Sequence, residues 1–369
     1  MSCGMATASE SATPRKVRVW MDGCFDMVHF GHANALRQAK KTGDVLVVGV
    51  HSDDAISKYK GPPVWTEQER YKMIRAIKWV DEVVEDASYF PTPEQLDKYG
   101  CDFCVHGDDI STTVDGEDCY SALKNGGRYR TCSRTQGIST TDLVGRMLLM
   151  TRDHHRGDTN GAIDNQEFAE LNGGENCPWT GVSQFIASTQ KILEFSSGTE
   201  RKQNDRAVYI PGSFDLFHCG HLDFLERARQ EGDYLIIGLH GDAVVNWYKG
   251  CNHPIMNIHE RVLTLLACKY VSEVVIDAPY KITEEMMEHL SIDMVCHGKP
   301  GSPVPPCKDG GDPFAVPKAL GKFKMLDSGN ELTTTILIDR IIRNRISYRN
   351  RNRRKESREL EMYNEVYGE

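Results

Sequence analysis

Histidine, glycine and a second histidine recur at the same spacing in two places of this 369-residue chain. Residues 22–32 read DGCFDMVHFGH, and residues 211–221 read PGSFDLFHCGH. Each copy follows a short apolar run and opens a predicted amphipathic helix, at residues 32–41 and 221–230. The first turn of a helix offers unpaired N–H groups and a positive dipole end, and the glycine lets the backbone approach a ligand. Both copies therefore predict a phosphate site.

The similarity between the two halves extends well beyond this motif. GDVLVVGVHSD (43–53) matches GDYLIIGLHGD (232–242), and VDEVVEDA (80–87) matches VSEVVIDA (271–278). The register between the two copies changes only a few times over the length of a domain. This indicates duplication of a whole domain rather than a short-period solenoid.

Short apolar strands alternate with helices in each half. A helix is expected after Thr66, where Thr66 and Glu69 form a capping box, and Asn257 and Glu260 repeat this pattern in the second half. Such alternation predicts an α/β fold class, with two tandem doubly wound (Rossmann-like) parallel-sheet domains and ligands at the carboxyl ends of the strands. In the first half the strands are predicted at residues 17–21, 45–50, 81–85 and 103–106.

Composition and charge divide the chain and exclude several classes of protein. Apolar residues make up 40% and charged residues 26%, which is typical of globular proteins, and the net charge of −9 argues against general affinity for nucleic acid. The sequence shows no signal peptide and no transmembrane segment, and its twelve scattered cysteines are typical of cytoplasmic thiols. The predicted regions are a disordered tail (1–15), an N-terminal domain (16–150), a linker (151–205), a C-terminal domain (206–346) and a basic tail (347–369).

The linker and the tail carry weaker patterns. A helix is predicted at residues 182–193. The stretch at 158–168 superficially resembles a calcium loop, but Ile163 and Ala169 stand where the invariant glycine and the bidentate glutamate would be. The segment 339–360 has an apolar stripe and then a dense basic run, which favours a docked helix with a solvated end over peripheral contact with an anionic membrane.

A second signature accompanies the first H-x-G-H motif. Residues 134–141 read RTQGISTT, and together with HFGH at 29–32 they resemble the cytidylyltransferase family of the H-x-G-H nucleotidyltransferase superfamily. Two tandem copies in one chain are similar to the members of that family that act on phosphoethanolamine. The resemblance implies transfer of CMP from CTP to phosphoethanolamine, giving CDP-ethanolamine and pyrophosphate for phosphatidylethanolamine synthesis, with Mg²⁺ bound to the CTP.

Four residues of the first half are candidate catalytic residues. Phosphoryl-type transfer of this kind needs positioning and charge neutralisation rather than a protein nucleophile. His29 and His32 are expected to donate to phosphate oxygens on which charge grows in the transition state. Lys60, in a KGPP loop, supplies a point charge, and Arg134 supplies a planar fork for two phosphate oxygens. For Lys60 an exposed loop lysine remains the alternative.

The candidate nucleotide-binding residues of the first half follow predicted strand ends or begin predicted helices. The segment 137–141 opens a helix whose hydroxyl and N–H groups can face the β- and γ-phosphates, although an ordinary helix cap would look the same. Asp22 and Asp108 are expected to contact ribose, cytosine or magnesium, and Arg70 lies near the site or on a solvated helix face. No metal site built by the protein alone is predicted. The full set is Asp22, Gly23, Phe25, Asp26, Arg70, His106, Gly107, Asp108, Gly137, Ile138, Ser139, Thr140 and Thr141.

The second half keeps only part of this machinery. Ser328 replaces the arginine of the second signature, Glu331 replaces its glycine, and Lys299 stands where the first half has an aspartate. A carboxylate beside a triphosphate opposes binding, so our hypothesis makes the first half the principal catalyst and the second a weakened or regulatory nucleotide-binding domain. Its candidate binding residues are Ser213, Phe214, His218, His221, Lys249, Arg261, His297, Lys299, Thr333 and Thr334.

Several alternatives stay open at this point. The same reaction on phosphocholine or glycerol 3-phosphate is the nearest, and a non-catalytic nucleotide sensor is the alternative from another class. The complete RTQGISTT argues against an ATP-dependent adenylyltransferase. An ammonium-binding pocket needs acidic or aromatic groups, for which Trp79 and Tyr89 are candidates. Cys101 and Cys104 are interpreted as buried strand cysteines rather than zinc or redox groups. A homodimer and peripheral association with the endoplasmic reticulum also stay open.

Overall fold

The computed structural model describes residues 15–108, 118–149, 185–196, 198, 200–250, 253–299, 304–354 and 357. The elements of the first half are β1 (Arg18–Gly23), α1 (Phe30–Lys40), β2 (Val45–Val50), α2 (Asp53–Tyr59), α3 (Glu67–Arg75), β3 (Glu82–Glu85), α4 (Pro93–Lys98), β4 (Phe103–Gly107), α5 (Ser121–Asn125), β5 (Tyr129–Cys132) and α6 (Thr140–Leu149).

The second half repeats this series after a short linker helix. Its elements are α7 (Thr189–Phe195, in the linker), β6 (Ala207–Gly212), α8 (Cys219–Ala228), β7 (Tyr234–Leu239), α9 (Asp242–Lys249), α10 (Ile258–Leu266), β8 (Glu273–Ile276), α11 (Glu284–His289), β9 (Met294–Gly298), α12 (Ala315–Ala319), β10 (Phe323–Leu326) and α13 (Thr334–Arg343). After a turn at Asn344, residues 345–354 are helical as well, and we call them the C-terminal helical segment.

Each half forms a five-stranded parallel sheet. The order is β3-β2-β1-β4-β5 in the first half and β8-β7-β6-β9-β10 in the second, and all adjacent strands are parallel. In both sheets the central strand is the one that leads into an H-x-G-H motif, and the chain crosses to opposite sides of it. The predicted doubly wound α/β class is confirmed, with ligand sites expected where the strand order reverses.

The helix beginnings follow the local sequence. Thr66 accepts from the amide of Glu69, whose side chain accepts from the Thr66 amide, and Asn257 and Glu260 make the same reciprocal pair. Both predicted capping boxes are therefore confirmed. The helix predicted from residue 32 begins at residue 30 instead, because His29 itself is the N-cap.

The two halves pack about an approximate twofold axis. Residues 76–78 pair with residues 267–269 in an antiparallel bridge centred on Ile77 and Cys268, with backbone hydrogen bonds of 3.0 and 2.9 Å. These segments are equivalent in the duplicated sequence, as an isologous contact requires. One core cluster contains buried residues from both halves, so the halves are joined by a continuous hydrophobic core.

Two equivalent ion pairs cross this interface. Arg146 on α6 binds both carboxylate oxygens of Glu260 at 2.8 and 2.9 Å, with side chains only 3% and 0% exposed. Arg340 on α13 binds both oxygens of Glu69 at 2.8 and 3.1 Å, with 28% and 17% exposed. Each arginine lies on the helix that follows one second-signature loop. Each glutamate belongs to a capping box in the opposite half.

The linker and the C-terminal helical segment both lie against the first half. Glu194 on α7 pairs with Arg37 at 2.7 Å, and Phe195 packs edge-on against Trp79. The linker helix thus begins at Thr189, later than predicted. The C-terminal helical segment is docked, as the favoured interpretation of the tail expected. Residues 1–14, the calcium-like stretch 158–168 and the end of the tail beyond residue 357 lie outside the described residues. Among the helices described, none is long and apolar enough to cross a membrane.

Candidate active site

The turn between β1 and α1 is strained in the same way as its copy between β6 and α8. Phe25 and Met27 adopt φ values of 49° and 50°, and Phe214 and Leu216 adopt 45° and 50°. Non-glycine residues rarely occupy this left-handed region, and such strain concentrates at functional sites. The turn delivers the H-x-G-H motif to the carboxyl end of the central strand, as predicted.

The two histidines of the first motif stack on each other at the helix start. Their ring centroids lie 4.0 Å apart with 26° between the planes. The Nδ1 atom of His29 accepts a hydrogen bond of 3.1 Å from the amide of Gly31. In the neutral imidazole the proton must then lie on Nε2, which makes that atom a donor. A Cβ at Gly31 would lie 2.8 Å from the His29 ring, so the motif needs glycine there.

The loop after α2 carries Lys60 and is stabilised by hydrogen bonds to Asp26. Lys60 caps α2 at its C-terminus and is exposed, and Gly61 follows with a φ of 97°. The buried carboxylate of Asp26 accepts from the amides of Val64 and Trp65 at 2.9 to 3.0 Å. In this conformation Asp26 supports the loop, and its backbone carbonyl accepts a hydroxyl hydrogen bond from α6.

The candidate arginines on α3 and α10 are fully buried, so neither lies on a solvated helix face. Arg70 donates to the carbonyl of Cys24 at 2.8 Å and pairs with Asp53 at 2.9 Å. Arg261 donates to the carbonyl of Ser213 at 2.7 Å and pairs with Asp242 at 2.6 Å. Both arginines thus connect the strained turn to the start of the helix after the second strand of each half, α2 or α9, and this is how they shape the site.

The second signature forms a loop and a helix start beside the histidines. Arg134 is exposed, and its amide donates to Asp108 at 3.0 Å. Gly137 has a φ of 84°, and Ile138 contacts the H-x-G-H glycine region. Ser139 accepts from the amide of Asp142 at 3.0 Å and so caps α6.

The hydroxyl of Thr140 connects α6 to the turn before α1 by a hydrogen bond. Thr140 donates to the Asp26 carbonyl at 2.8 Å, and Thr334 donates equivalently to Asp215 at 3.0 Å. Thr333 caps α13 in the second half. The capping alternative therefore describes the hydrogen bonds of Ser139 and Thr333, whereas Thr140 and Thr334 bind the turn before α1 or α8. The N–H groups of the first turn remain the feature that favours an anion.

The first site also contains a buried carboxylate, Asp22, and a histidine, His51, that lie close to each other. The side chain of Asp22 is 0% exposed, and its Oδ2 lies 3.8 Å from Nε2 of His51. Burial raises the pKa of Asp22 to about 7, although a hydrogen bond of 3.2 Å from Tyr120 opposes the shift. Burial also lowers the pKa of His51 to about 4, so this imidazole is neutral at physiological pH.

Aromatic rings form a wall beside the imidazole of His51, which faces this carboxylate. The Tyr89 ring lies 4.9 Å from that of His51 and 4.6 Å from that of Tyr59, and Phe90 packs edge-on against both tyrosines. Carboxylates and aromatic faces both attract an ammonium group, and the imidazole of His51 contacts both here. The sequence identified Tyr89 as a candidate, whereas Trp79 packs against the linker helix instead.

The remaining strand-end residues lie on the other side of β1. The ring of His106 packs at a tilt against that of Tyr120 with 4.5 Å between centroids, and its Nδ1 lies 3.1 Å from the Gly107 carbonyl. Cys101 and Cys104 are buried, and burial raises both thiol pKa values. Within the described ranges no group of three or more histidine, cysteine, aspartate or glutamate residues is placed to hold a metal ion.

The second half keeps the aromatic wall but loses its carboxylate. His240, Tyr248 and Tyr280 form a cluster equivalent to that of His51, with centroids 5.4 to 5.7 Å apart. Pro211 occupies the position of Asp22, and Phe314 that of its tyrosine partner. The carboxylate of Asp22 therefore has no equivalent at the matching position of the second half.

The second H-x-G-H motif is more enclosed than the first. Burial lowers the pKa of His218 to about 3 and holds that of His221 well below its usual range. Nε2 of His218 is buried and has no hydrogen-bond partner in the described part of the chain. A Cβ at Gly220 would lie 2.2 Å from the carbonyl oxygen of Leu332, which follows Glu331 in the altered loop.

The positive charge of Lys299, in the altered site of the second half, is paired with a carboxylate. Lys299 lies 3.2 Å from the carboxylate of Asp327, and Ser328 donates to the carbonyl of Asn330 at 2.9 Å. Lys249, in contrast, lies at the end of α9 in the same place as Lys60 at the end of α2. The second half therefore retains the lysine and both imidazoles without the rest of the triphosphate cradle.

Comparisons with known proteins indicate the family of this chain. The family model described as cytidylyltransferase-like matches residues 20–146 and 209–300. The ethanolamine-phosphate cytidylyltransferase of Mus musculus is 52% identical over 97% of this chain and 94% of its own length. That of Dictyostelium discoideum is 49% identical over 95% and 98%. A choline-phosphate cytidylyltransferase of Arabidopsis thaliana is 44% identical over only 37% of this chain and 47% of its own length.

Proposed function

The chain belongs to the cytidylyltransferase-like family, and we propose that it transfers CMP from CTP to phosphoethanolamine, releasing pyrophosphate and forming CDP-ethanolamine. The observation that carries this proposal is the first-half site. Two stacked imidazoles at a helix start, a loop lysine and a complete RTQGISTT loop converge there beside a buried carboxylate. The relatives that match along nearly the whole chain carry the same activity in their names.

The reaction needs no covalent enzyme intermediate. A phosphate oxygen of phosphoethanolamine attacks the α-phosphorus of CTP, a new P–O bond forms, and the bond to the β-phosphate oxygen breaks as pyrophosphate leaves. Negative charge grows on the α-phosphate oxygens. His29, whose Nδ1 is held by the Gly31 amide, presents its Nε2–H as a donor to that charge. Lys60 and Arg134 are exposed at the mouth of the site and supply the positive charge that the triphosphate requires.

We assign the ammonium end of the substrate to Asp22, whose side chain is 0% exposed in the substrate-free protein and is reached only if the groups that cover it move. A cation entering this pocket favours the ionised carboxylate, so binding draws a proton off Asp22 wherever the free protein holds it. The aromatic wall of Tyr59 and Tyr89 adds cation–π attraction. Glycerol 3-phosphate offers no positive charge to this pocket, which favours an amino alcohol over that alternative.

Magnesium enters the proposal as a partner of the triphosphate. The described residues offer single carboxylates near the site rather than a cage of ligands. Mg²⁺ commonly keeps water and substrate phosphate oxygens as most of its ligands, and these oxygens would hold it here. Asp108, which is exposed just after β4 and accepts from the amide of Arg134, is the candidate carboxylate. When bound, the ion neutralises charge on the triphosphate.

We assign catalysis to the first half and nucleotide binding without efficient turnover to the second. The second half lacks the arginine and glycine of the signature and the carboxylate of the ammonium pocket. It keeps Lys249 and the buried donor of His218, which has no protein partner among the described residues. A nucleotide sensor is thus the second candidate function, for this half alone. Cytoplasmic location, peripheral association with the endoplasmic reticulum and homodimerisation stay predictions.

One assay tests the proposed function. The protein is incubated with Mg²⁺ and either CTP or ATP, together with phosphoethanolamine, phosphocholine or glycerol 3-phosphate, and pyrophosphate release is measured. We expect turnover with CTP and phosphoethanolamine to exceed every other pair. Faster turnover with phosphocholine would reject the substrate assignment, and no turnover with any pair would reject the enzymatic function.

A further inference from the structure

Three successive backbone carbonyls of the first-half lysine loop are bound by side chains from the second half. The carbonyls of residues 62, 63 and 64 accept in turn from Arg351 at 2.9 Å, Tyr348 at 3.2 Å and Arg340 at 3.0 Å. All three donors lie on α13 or on the C-terminal helical segment. They are 276 to 289 positions away along the chain.

The loop is therefore bound on two sides. Its amides at Val64 and Trp65 donate to the buried carboxylate of Asp26 from the first half. Arg351 also lies 3.3 Å from that carboxylate, with its own side chain only 12% exposed. The guanidinium of Arg351 thus contacts both a carbonyl of the loop and the carboxylate that binds the amides of the loop.

Lys60 stands immediately before this bound turn. Gly61 separates it from residue 62 and has a φ of 97°, and the Cγ of Arg351 lies 3.4 Å from where a Cβ of that glycine would be. The backbone at this point is one that L side chains rarely adopt. Both halves hold it there: within the first half the amides of Lys60 and Gly61 donate to the carbonyl of Ile56 at 2.8 and 3.0 Å, and the second half binds the carbonyls of residues 62 to 64.

An equivalent contact crosses in the opposite direction. Arg146 on α6 donates to the carbonyl of Ile255 at 3.2 Å, just as Arg340 donates to Val64. This pair of contacts follows from the approximate twofold axis. The contacts of Tyr348 and Arg351 serve the first half, where the complete signature lies.

We propose that Tyr348 and Arg351 are positioning residues for Lys60, so that the C-terminal helical segment of the second half completes the first-half active site. A lysine on an unrestrained loop must be ordered in each catalytic cycle, and misplacement of a catalytic group costs rate steeply. Binding the carbonyls of the loop removes that cost before substrate arrives. The inference rests on the proposed function, and it gives the degenerate second half a structural role in first-half activity.

The kinetic test uses two mild substitutions and a matched control. Tyr348→Phe removes one hydroxyl, and Arg351→Gln removes the guanidinium that joins both sides of the turn. Arg353→Gln removes the same charge from an exposed position of the same segment. We expect kcat/KM for CTP to fall about threefold for the first and about tenfold for the second, mainly through kcat, and to stay within about twofold for the control.

A double-mutant cycle separates positioning from stability. On a Lys60→Ala background, Arg351→Gln should have almost no further effect, because the group that it positions is gone. If Arg351→Gln instead lowered kcat/KM by the same factor with and without Lys60, the contact would act through folding and the proposal would be overturned.

Hydrogen exchange of the substrate-free protein provides a readout independent of activity. Arg351→Gln should accelerate exchange of the amides of Val64 and Trp65 by about tenfold, whereas Arg353→Gln should leave them unchanged. Unchanged exchange in Arg351→Gln would overturn the proposal even if the enzyme were active. A wild-type protein without turnover would reject the proposed function, while this measurement would still decide how the loop is held.

Discussion

Replacing Asp22 with asparagine should stabilise the substrate-free protein but weaken its binding of the ammonium group of phosphoethanolamine. The Asp22 side chain is fully buried, and burial raises its pKa from 3.8 to about 7 despite the hydrogen bond from Tyr120. Above that pH the folded protein carries a desolvated carboxylate whose closest cationic candidate, His51, is neutral because burial lowers its pKa to about 4. Asparagine keeps the size of the side chain and cannot ionise.

The sign and the size follow from the raised pKa. The folded state binds the proton more tightly than the unfolded state, so the protonated carboxyl contributes stability that is complete below about pH 4 and is lost as the pH rises to about 7. A shift of about 3 pKa units corresponds to about 4 kcal/mol. The free energy of unfolding of Asp22→Asn, relative to wild type, should therefore rise between about pH 4 and pH 7 and then level off at no more than about 4 kcal/mol.

Urea unfolding of both proteins at about pH 5 and about pH 8 measures this difference, with the exposed Asp54→Asn as the matched control. In the same variant, KM for phosphoethanolamine should rise by about tenfold or more, since the ammonium loses its counter-charge. A stability difference that is the same at both pH values would refute the claim that Asp22 is a desolvated carboxylate. An unchanged KM would refute its role in the pocket.

Three further outcomes follow from the packing and the charges. Arg146→Ala should lower the free energy of unfolding by about 3–5 kcal/mol, because it leaves the buried carboxylate of Glu260 without its partner. Arg340→Ala should lower it by only about 1 kcal/mol, because that ion pair is partly exposed. Chemical denaturation of the two variants measures the difference. Gly49→Ala would place a Cβ 2.5 Å from the ring of Trp20 and should lower the melting temperature by several degrees in calorimetry. Glu331→Gly should tighten CTP binding to a His29→Ala protein about tenfold in calorimetric titration, because it removes a carboxylate from the second cradle.

Much of the fold could be predicted because buried parallel strands have a plain sequence pattern. The four predicted strands of the first half are all present, to within two residues of the observed ends. The fifth strand, Tyr129–Cys132, was missed because two of its four residues are exposed, so it lacks a continuous apolar run. Its counterpart Phe323–Leu326 has the same pattern of exposure. Both are edge strands, which bury less surface than central ones.

The candidate site could be predicted where one motif holds several of its residues, and not where distant residues meet. The H-x-G-H turn and the second signature are local, so their positions followed from sequence. His51 and Tyr120 were missed because they reach Asp22 from different strands and loops, up to 98 positions away. A signal did exist for one of them, since His51 recurs as His240 in the second half.

The buried arginine on α3 shows a different limit. Sequence periodicity could not show whether Arg70 lies on a solvated helix face or is buried. Its hydrogen-bond partners, the carbonyl of Cys24 and the carboxylate of Asp53, lie outside the helix that carries it. The same holds for the contacts of Tyr348 and Arg351, which depend on how the halves pack. Duplication predicts that two domains exist, and only their packing shows which residues of one complete the other.

The assignment of catalysis to the first half is tested most directly by product formation in two matched pairs of variants. CDP-ethanolamine formed from CTP and phosphoethanolamine is measured for His29→Ala and His32→Ala beside His218→Ala and His221→Ala. The account predicts that each first-half variant loses about a hundredfold or more in kcat, while the second-half variants stay within about tenfold of wild type. Loss of product in the second-half variants, with the first-half variants intact, would contradict it.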